Sequence, residues 1–410
     1  MSDKAPESRE WLLEALHAAI SACHGGKLVS RALAGHEPGA PVAMVACGKA
    51  AHAMATGALE VLGDSVGRGL VIAPAGDESP LPGSVRRVTG EHPVPGAGSL
   101  AAGRALLAFL EEARAGESLL VLVSGGASSL VEVPREGLSA EALRRAWRWL
   151  LGSGLDIRQV NAVRQHLSAI KGGGLAGHVH GRRALVLALS DVPGNDPAVI
   201  GSGLLSPPLP APDREALPGW LAAMLAPATA APPPDQSCWN DIETRVIGNN
   251  ETVLSAAAAY WRSRDLPVSR HAASLSGDVS DAAGMIAEEL ENGAPGAHLW
   301  GGECTVRLRG APGRGGRCQH LALEVARRLA GRGGWMLLAA GTDGRDGQSD
   351  AAGALVDGGT LERGADGGME AEAALAGFDS GTFLEAAGDL VDTGPTGTNV
   401  NDLVIGYTAK

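Results

Sequence analysis

Short apolar runs that end in glycine-containing turns and lead into helical stretches constrain this chain more than any other feature. Val42–Cys47 ends at Gly48 and precedes a helical Ala50–Leu62. Leu119–Val123 ends in Ser124-Gly125-Gly126, Ala184–Leu189 in Ser190-Asp191, and Trp335–Ala340 in Gly341-Thr342-Asp343-Gly344. Leu70–Ala73 is a further short run, and Val246–Asn249 restarts the pattern before Val253–Arg262. Apolar runs this short, closed by turn residues, fit strands covered on both faces. Between them, residues 11–34, 99–115, 139–152, 157–168 and 319–329 read as helices. Strand followed by helix is the repeating unit of a parallel sheet, so the predicted class is α/β with helices on both sheet faces.

The texture changes along the chain. Residues 206–237 are rich in Pro, Ala and Asp, with Pro207-Pro208 and Pro232-Pro233-Pro234, and mark a boundary or surface segment. Residues 303–309 alternate as a strand. These readings give an N-terminal α/β domain over 1–240, a connecting strand–helix region over 241–294 and a smaller C-terminal α/β domain over 295–410.

Composition excludes several classes. The net charge of −12 argues against a nucleic-acid-coating role. No run of apolar residues is long enough for a membrane span, and the polar Met1–Glu10 lacks a signal-peptide pattern, so a cytoplasmic protein is expected. The five cysteines are widely spaced with no CxxC pair, which suggests free thiols. Lysine is rare, at positions 4, 27, 49, 171 and 410 only. In a chain that uses Arg almost everywhere, Lys49 and Lys171, each beside glycine, stand out.

In parallel α/β sheets ligands bind beyond the carboxyl ends of the strands. Four glycine-rich segments take such positions. Gly48-Lys49-Ala50 puts a cation where a helix begins, a place that already favours anions. Ser124–Ser129 offers backbone amides and hydroxyls suited to phosphate oxygens. Asp191 and Asp196, and then Asp343 and Asp346, supply carboxylates for a hard cation or a general base. Arg314 and Arg317 precede a helix, and Arg164, His166 and Lys171 cluster in sequence. The GxxxxGK[ST] loop, the kinase HRD and DFG motifs, the GxSxG elbow and a GxGxxG at the first turn are all absent from the sequence. The residues alone thus point to an anion-handling α/β enzyme of the phosphoryl-transfer kind.

Taken in order, the motifs resemble the glycerate 2-kinase family, whose C-terminal part is called the MOFRL domain. They are Gly48-Lys49-Ala50-Ala51, Glu91-His92-Pro93-Val94-Pro95, Ser124–Leu130, Asn161–Ser168, Ile170-Lys171-Gly172-Gly173, Leu189-Ser190-Asp191-Val192, Gly301-Gly302-Glu303, Gly315-Gly316-Arg317, Gly341–Gly344, Asp350–Gly353 and Thr393–Leu403. The resemblance implies a larger Rossmann-like parallel-sheet domain, a smaller MOFRL domain and an active site in the cleft between them. It implies ATP-dependent phosphorylation of glycerate at the 2-hydroxyl with Mg2+, and it leads us to expect a homodimer with no nucleic-acid or membrane partner. By this resemblance Lys49 and Arg317 neutralise charge, and Asp191 is the general base or a metal ligand. Asp343 is a metal or nucleotide ligand. Ser124, Gly125, Gly126, Ser128, Asn161, Lys171, Glu303, Thr342 and Asn399 contact the nucleotide, with His92 a weaker candidate. The chain departs from the family pattern at Ala127, Gly174, Gly201–Pro207, Cys318 and His320. Those departures keep three alternatives open: a related sugar acid as substrate, a hydroxypyruvate-type oxidoreductase, and a non-catalytic metabolite-binding relative.

Overall fold

The computed structural model describes residues 4–36, 40–76, 79–112, 114, 116–225, 237–308, 310 and 312–409. The Pro232–Pro234 run lies outside them. The chain divides into two compact units. One comprises residues 25–248 with 397–399, the other residues 1–24, 249–396 and 400–410.

The first unit is built on a six-stranded, wholly parallel sheet. Its strands are β1 (Val42–Cys47), β2 (Val66–Ala73), β3 (Val85–Thr89), β4 (Ser118–Val123), β5 (Ala184–Leu189) and β6 (Ile242–Gly248), in the order β3-β2-β1-β4-β5-β6. β1, β4 and β5 are almost wholly buried, which is why they read as unbroken apolar runs. Ala43, Val45, Leu119, Val121 and Val186 join Ala102, Leu106 and Leu130 in one core layer. Helices Gly25–Leu33 and Ala51–Leu62 cover the other face. The sheet order reverses between β1 and β4, and this is the position where an open parallel sheet leaves a crevice at its carboxyl edge.

The second unit holds a mixed sheet. Its strands are β7 (Val268–Arg270), β8 (Gly296–Gly302), β9 (Trp335–Gly341), β10 (Gly353–Asp357), β11 (Leu390–Val391) and β12 (Asp402–Thr408), in the order β11-β10-β9-β12-β8-β7. Only β7 and β8 run parallel. Helices Val279–Asn292 and Arg317–Arg328 pack on one face through Ile286, Leu290, Leu321 and Val325 against Trp300, Leu337 and Val404. Helices Lys4–Ala22 and Asn250–Arg262 pack on each other, the first also on β9 and β12 and the second on β8, β7 and β12, with Trp11 set edge-on to Trp261 and Tyr407.

Two sequence expectations change here. The helix expected over 11–34 is two helices, Lys4–Ala22 and Gly25–Leu33, and they belong to different units. The break falls at a glycine pair in close contact with neighbouring backbone: a Cβ on Gly57 would lie 2.2 Å from the Gly26 oxygen. Of the expected strand 303–309, the described residues 303–308 form no strand, and residue 309 lies outside the described residues. The strand is Gly296–Gly302, and only Thr305 bridges to Asp278 beyond it. The alternation after 303 marks an exposed segment, with Leu308 54% exposed, whereas glycines and His298 disguise the buried strand before it. The first helix and residues 249–294 join the C-terminal unit because their apolar faces are buried there.

Candidate functional site

The loops after β1, β4 and β5 stand side by side at the carboxyl edge of the parallel sheet, and hydrogen bonds knit the first two together. The Lys49 amide donates to the Gly125 oxygen at 2.9 Å, and the Ser124 amide to the Cys47 oxygen at 3.0 Å. The Ala50 amide donates to Ser124 Oγ at 3.0 Å. Gly48 adopts φ +132°, and a Cβ there would lie 2.1 Å from Ser124 Oγ. Only glycine permits both that dihedral and that approach. Ser124 itself is fully buried, and its hydroxyl holds the start of helix Ala51–Leu62.

Gly125 is the centre of the site. A Cβ on it would lie 2.0 Å from Asn399 Nδ2 and 2.1 Å from Asp191 Oδ2. Asn399 Nδ2 faces Asp191 Oδ2 at 3.5 Å. The segment carrying Asn399 is tied to this unit by the Gly25 amide, which donates to the Gly397 oxygen at 2.9 Å. On the next residue, a Cβ on Gly126 would meet Lys49 Cγ at 3.2 Å and His92 Cδ2 at 3.3 Å. Lys49, Asp191 and Asn399 are half-buried and His92 is exposed. The side chains of Lys49, Asp191, Asn399 and His92 therefore border two bare glycines at the point where the strand order reverses.

Ser128 lies beside them, and its hydrogen bonding has a fixed direction. Asn161 Nδ2 donates to the Val199 oxygen at 3.2 Å, which leaves Asn161 Oδ1 as an acceptor. Ser202 Oγ is 2.8 Å from that oxygen and 2.8 Å from Ser128 Oγ. The single Ser202 proton goes to Oδ1, so Ser128 must donate to Ser202. Ser128 is left with lone pairs and no proton for a ligand. This differs from the expected contact with phosphate oxygens, which themselves only accept.

Lys171 and Asn161, expected at the nucleotide, lie inside the unit. The Lys171 side chain is wholly buried, with Nζ 2.7 Å from Glu132 Oε2, and it donates to the Val131 oxygen at 3.2 Å. Burial pulls the Lys171 ammonium below its ordinary value while Glu132 opposes this. Arg164 stacks on Trp147 at 4.0 Å, and burial lowers its guanidinium to about 10 despite Glu132. Glu132, the counter-ion of Lys171, stands 39 residues upstream, and separation in sequence hides such a pair.

In the other unit Arg317 opens helix Arg317–Arg328. Its Nε and Nη2 donate to Asp402 at 2.6 and 2.9 Å, and Nη1 lies 2.8 Å from Glu303 Oε1. Burial works against its charge, but Asp402 and Glu303 outweigh that and hold it above the ordinary arginine value. Asp346 accepts from the Cys318 and Gln319 amides at 3.1 and 2.7 Å, capping the helix. Thr342 is buried; its hydroxyl donates to the Asn401 oxygen at 2.6 Å and accepts from the Val400 amide at 2.9 Å. Asp343 Oδ1 accepts from the Arg345 amide at 3.1 Å.

The departures from the family pattern also find places. Cys318 is buried in the core of its unit, and burial raises its thiol well above the ordinary value. His320 is 6% exposed, hydrogen-bonded to Ser380 at 3.0 Å and stacked with Phe378. Ala127 is fully buried. A Cβ on Gly174 would lie 2.2 Å from the Ala169 oxygen, so no cationic side chain fits there. Two cavities of about 570 and 660 Å³ lie elsewhere. One is lined by Arg158, Asp196 and Trp239, the other by Val42, Ser118 and Ala184 at the opposite edge of the sheet.

Comparison with known proteins places the chain in a family. Residues 11–217 match the family described as a domain of unknown function, DUF4147, and residues 296–402 match the MOFRL family. The chain is 36% identical over 385 residues to the D-glycerate 2-kinase of Thermotoga maritima, covering 89% of this chain and 90% of the relative. It is 35% identical over 378 residues to an Agrobacterium vitis protein provisionally named hydroxypyruvate reductase, covering 88% and 85%. A crystal structure of glycerate kinase from Thermotoga maritima superposes with a TM-score of 0.83 at 33% identity, over 98% of this chain and 100% of that one. With both family models matched in order and a glycerate 2-kinase relative covered nearly end to end, this chain belongs to the glycerate kinase family.

Proposed function

We propose that this protein transfers a phosphoryl group from ATP to the 2-hydroxyl of glycerate, giving 2-phosphoglycerate and ADP. The observation that carries the reading is the convergence of Lys49, Asp191 and Asn399 on Gly125-Gly126 at the reversal of strand order. Phosphoryl transfer asks a protein for positioning and charge neutralisation more than for covalent chemistry. Lys49 supplies a positive charge at the start of a helix. The bare backbone of Gly125 and Gly126 lets a charged group approach closely. Asp191 accepts the proton of the attacking hydroxyl or holds Mg2+, and Asn399 orients its carboxylate. Ser128 accepts a hydrogen bond from a hydroxyl of a reactant.

Mg2+ takes one or two carboxylates and completes its shell with water and phosphate oxygens. Half-buried Asp191, facing an amide donor, fits that demand, and Asp343 is the second candidate. Bound there, the ion would neutralise phosphate charge. Arg317, Glu303, Thr342 and Asp343 belong to the other unit, where Arg317 is compensated by Asp402. Among the described residues, no helix is long and apolar enough to cross a membrane.

A reductase reading draws on the strand order, which dinucleotide-binding folds share, and on the relative named for that activity. Against it stands the first turn, which reads Gly48-Lys49-Ala50-Ala51 and is filled by Ser124.

The test is ADP release with glycerate in Lys49→Ala and Asp191→Asn, with folding followed by circular dichroism. Each variant is expected to lose about a hundredfold or more in kcat. Rates within about threefold of the parent would reject these roles.

A further inference from the structure

Outside the candidate site, three ligating side chains converge in the unit with the mixed sheet. His271 directly follows edge strand β7, Glu289 stands on helix Val279–Asn292, and His298 lies on β8. His298 is 0% exposed. Its Nε2 is 2.8 Å from the Ala294 carbonyl oxygen. A carbonyl only accepts, so that nitrogen carries a proton. In the neutral ring Nδ1 is then bare, and it faces His271 Nε2 at 3.4 Å and Glu289 Oε1 at 3.2 Å.

The two distances from His298 Nδ1 match the edges of a coordination polyhedron, and the three ligand atoms all lie within 4.8 Å of one another. Zinc bonds of about 2.0–2.1 Å place tetrahedral ligand atoms roughly 3.3–3.4 Å apart. The surroundings hold the ligands in place. The His271 ring stacks on Trp300 with centroids 4.4 Å apart and planes within 8°, and its backbone amide donates to the Leu299 oxygen at 3.0 Å. The Ala294 carbonyl does for His298 what outer partners commonly do for metal-bound histidines: it fixes the tautomer and the ring plane. One hydrogen bond between the imidazoles would settle that pair and leave Glu289 against a bare nitrogen. A single divalent cation satisfies all three groups.

We infer that His271, Glu289 and His298 form a zinc-binding site with its fourth position open to water. Two imidazoles and a carboxylate suit Zn2+ better than a hard cation. The Glu289 side chain is 35% exposed, so water reaches the site. The ion clips edge strand β7 and helix Val279–Asn292 to β8. A second trio, Glu111, His178 and His180, lacks this construction. Its side chains are 31–56% exposed, and Glu111 already engages His178 at 2.8 Å.

The experiment uses tag-free, full-length protein stripped with a chelator. Zn2+ is titrated against a competing indicator, and Co2+ is added separately for its visible spectrum. One equivalent should bind, with the intense absorption of tetrahedral Co2+. Zn2+ at a hundredfold excess over Kd should raise the unfolding midpoint by about 5 °C. His271→Ala, at a half-exposed position, should abolish the Co2+ absorption and the thermal shift. Glu289→Gln should weaken binding about tenfold or more, and His178→Ala should change neither. Absence of saturable binding in the parent protein, or undiminished binding in His271→Ala, would overturn the inference.

Discussion

Replacing Lys171 by methionine should destabilise the parallel-sheet unit without touching the chemistry directly. Lys171 and Glu132 are both fully buried at the side chain and 2.7 Å apart. Removing one partner of such a pair costs about 3–5 kcal/mol, because the other charge stays buried and uncompensated. Two features place the expected value near the lower end. Glu132 Oε1 keeps the Ser168 hydroxyl at 2.6 Å and the Val133 amide at 3.0 Å. Arg164 also feels the Glu132 charge and compensates part of it. We therefore expect Lys171→Met to cost about 3 kcal/mol. Lys171→Met combined with Glu132→Gln should recover part of this loss, since the Glu132 carboxylate no longer stands bare, while buried Arg164 loses the charge that compensates it. Urea unfolding followed by tryptophan fluorescence reads this, with Trp147 lying 5.8 Å from Lys171 Nζ. Separate transitions for the two units are to be fitted separately. If Lys171→Met unfolds at the parent's urea concentration yet loses ATP affinity tenfold, Lys171 serves the nucleotide and the structural reading is wrong.

Gly125→Ala should abolish turnover while the protein stays folded, because the new methyl displaces Asp191 and Asn399, which stand within about 2.1 Å of its position; a steady-state rate within tenfold of the parent would contradict that crowding. Ser128→Ala should lower kcat/KM for glycerate about three- to tenfold, the worth of one neutral hydrogen bond, and leave either lactate (lacking the 3-hydroxyl) or 2′-deoxy-ATP unaffected. Equal losses with every reactant would contradict an acceptor role for Ser128. Burial pushes the Asp346 carboxyl from 3.8 up to about 7 against the Gln319 and Cys318 amides. The folded state then keeps a proton that the unfolded state has released, so this contribution to stability falls as pH rises from about 4 to about 7. Asp346→Asn should flatten that slope in urea titrations, and an unchanged slope would refute it.

Much of the parallel-sheet unit was legible because its strands are buried on both faces. Val42–Cys47, Leu119–Val123 and Ala184–Leu189 could be read directly from unbroken apolar runs. Their glycine-rich ends pointed to Lys49, Gly125 and Asp191, which the fold brings together. Asn399 could be reached only through family resemblance, since nothing in its neighbourhood says that a three-residue segment pairs with distant loops. β8 is hidden because three glycines and a histidine dilute its apolar character, and the amphipathic stretch after it draws the strand assignment instead. The buried partners Glu132, Ser202 and Asp402 were hidden for one reason. A charged or polar residue gives no local sign that a counterpart far along the chain will neutralise it. Lys171 shows the converse: its rarity signalled a buried or anion-facing site, and burial is the outcome.

The most direct test of the account is the position of the phosphate on the product. Parent enzyme is incubated with ATP, Mg2+ and glycerate, and the product is examined by phosphorus–proton correlation NMR. Coupling of the new phosphorus to the single C2 proton, with one ADP formed per product, is the predicted result. Coupling to the C3 methylene protons, or hydroxypyruvate reduction by NADH with no ADP formed, would contradict it.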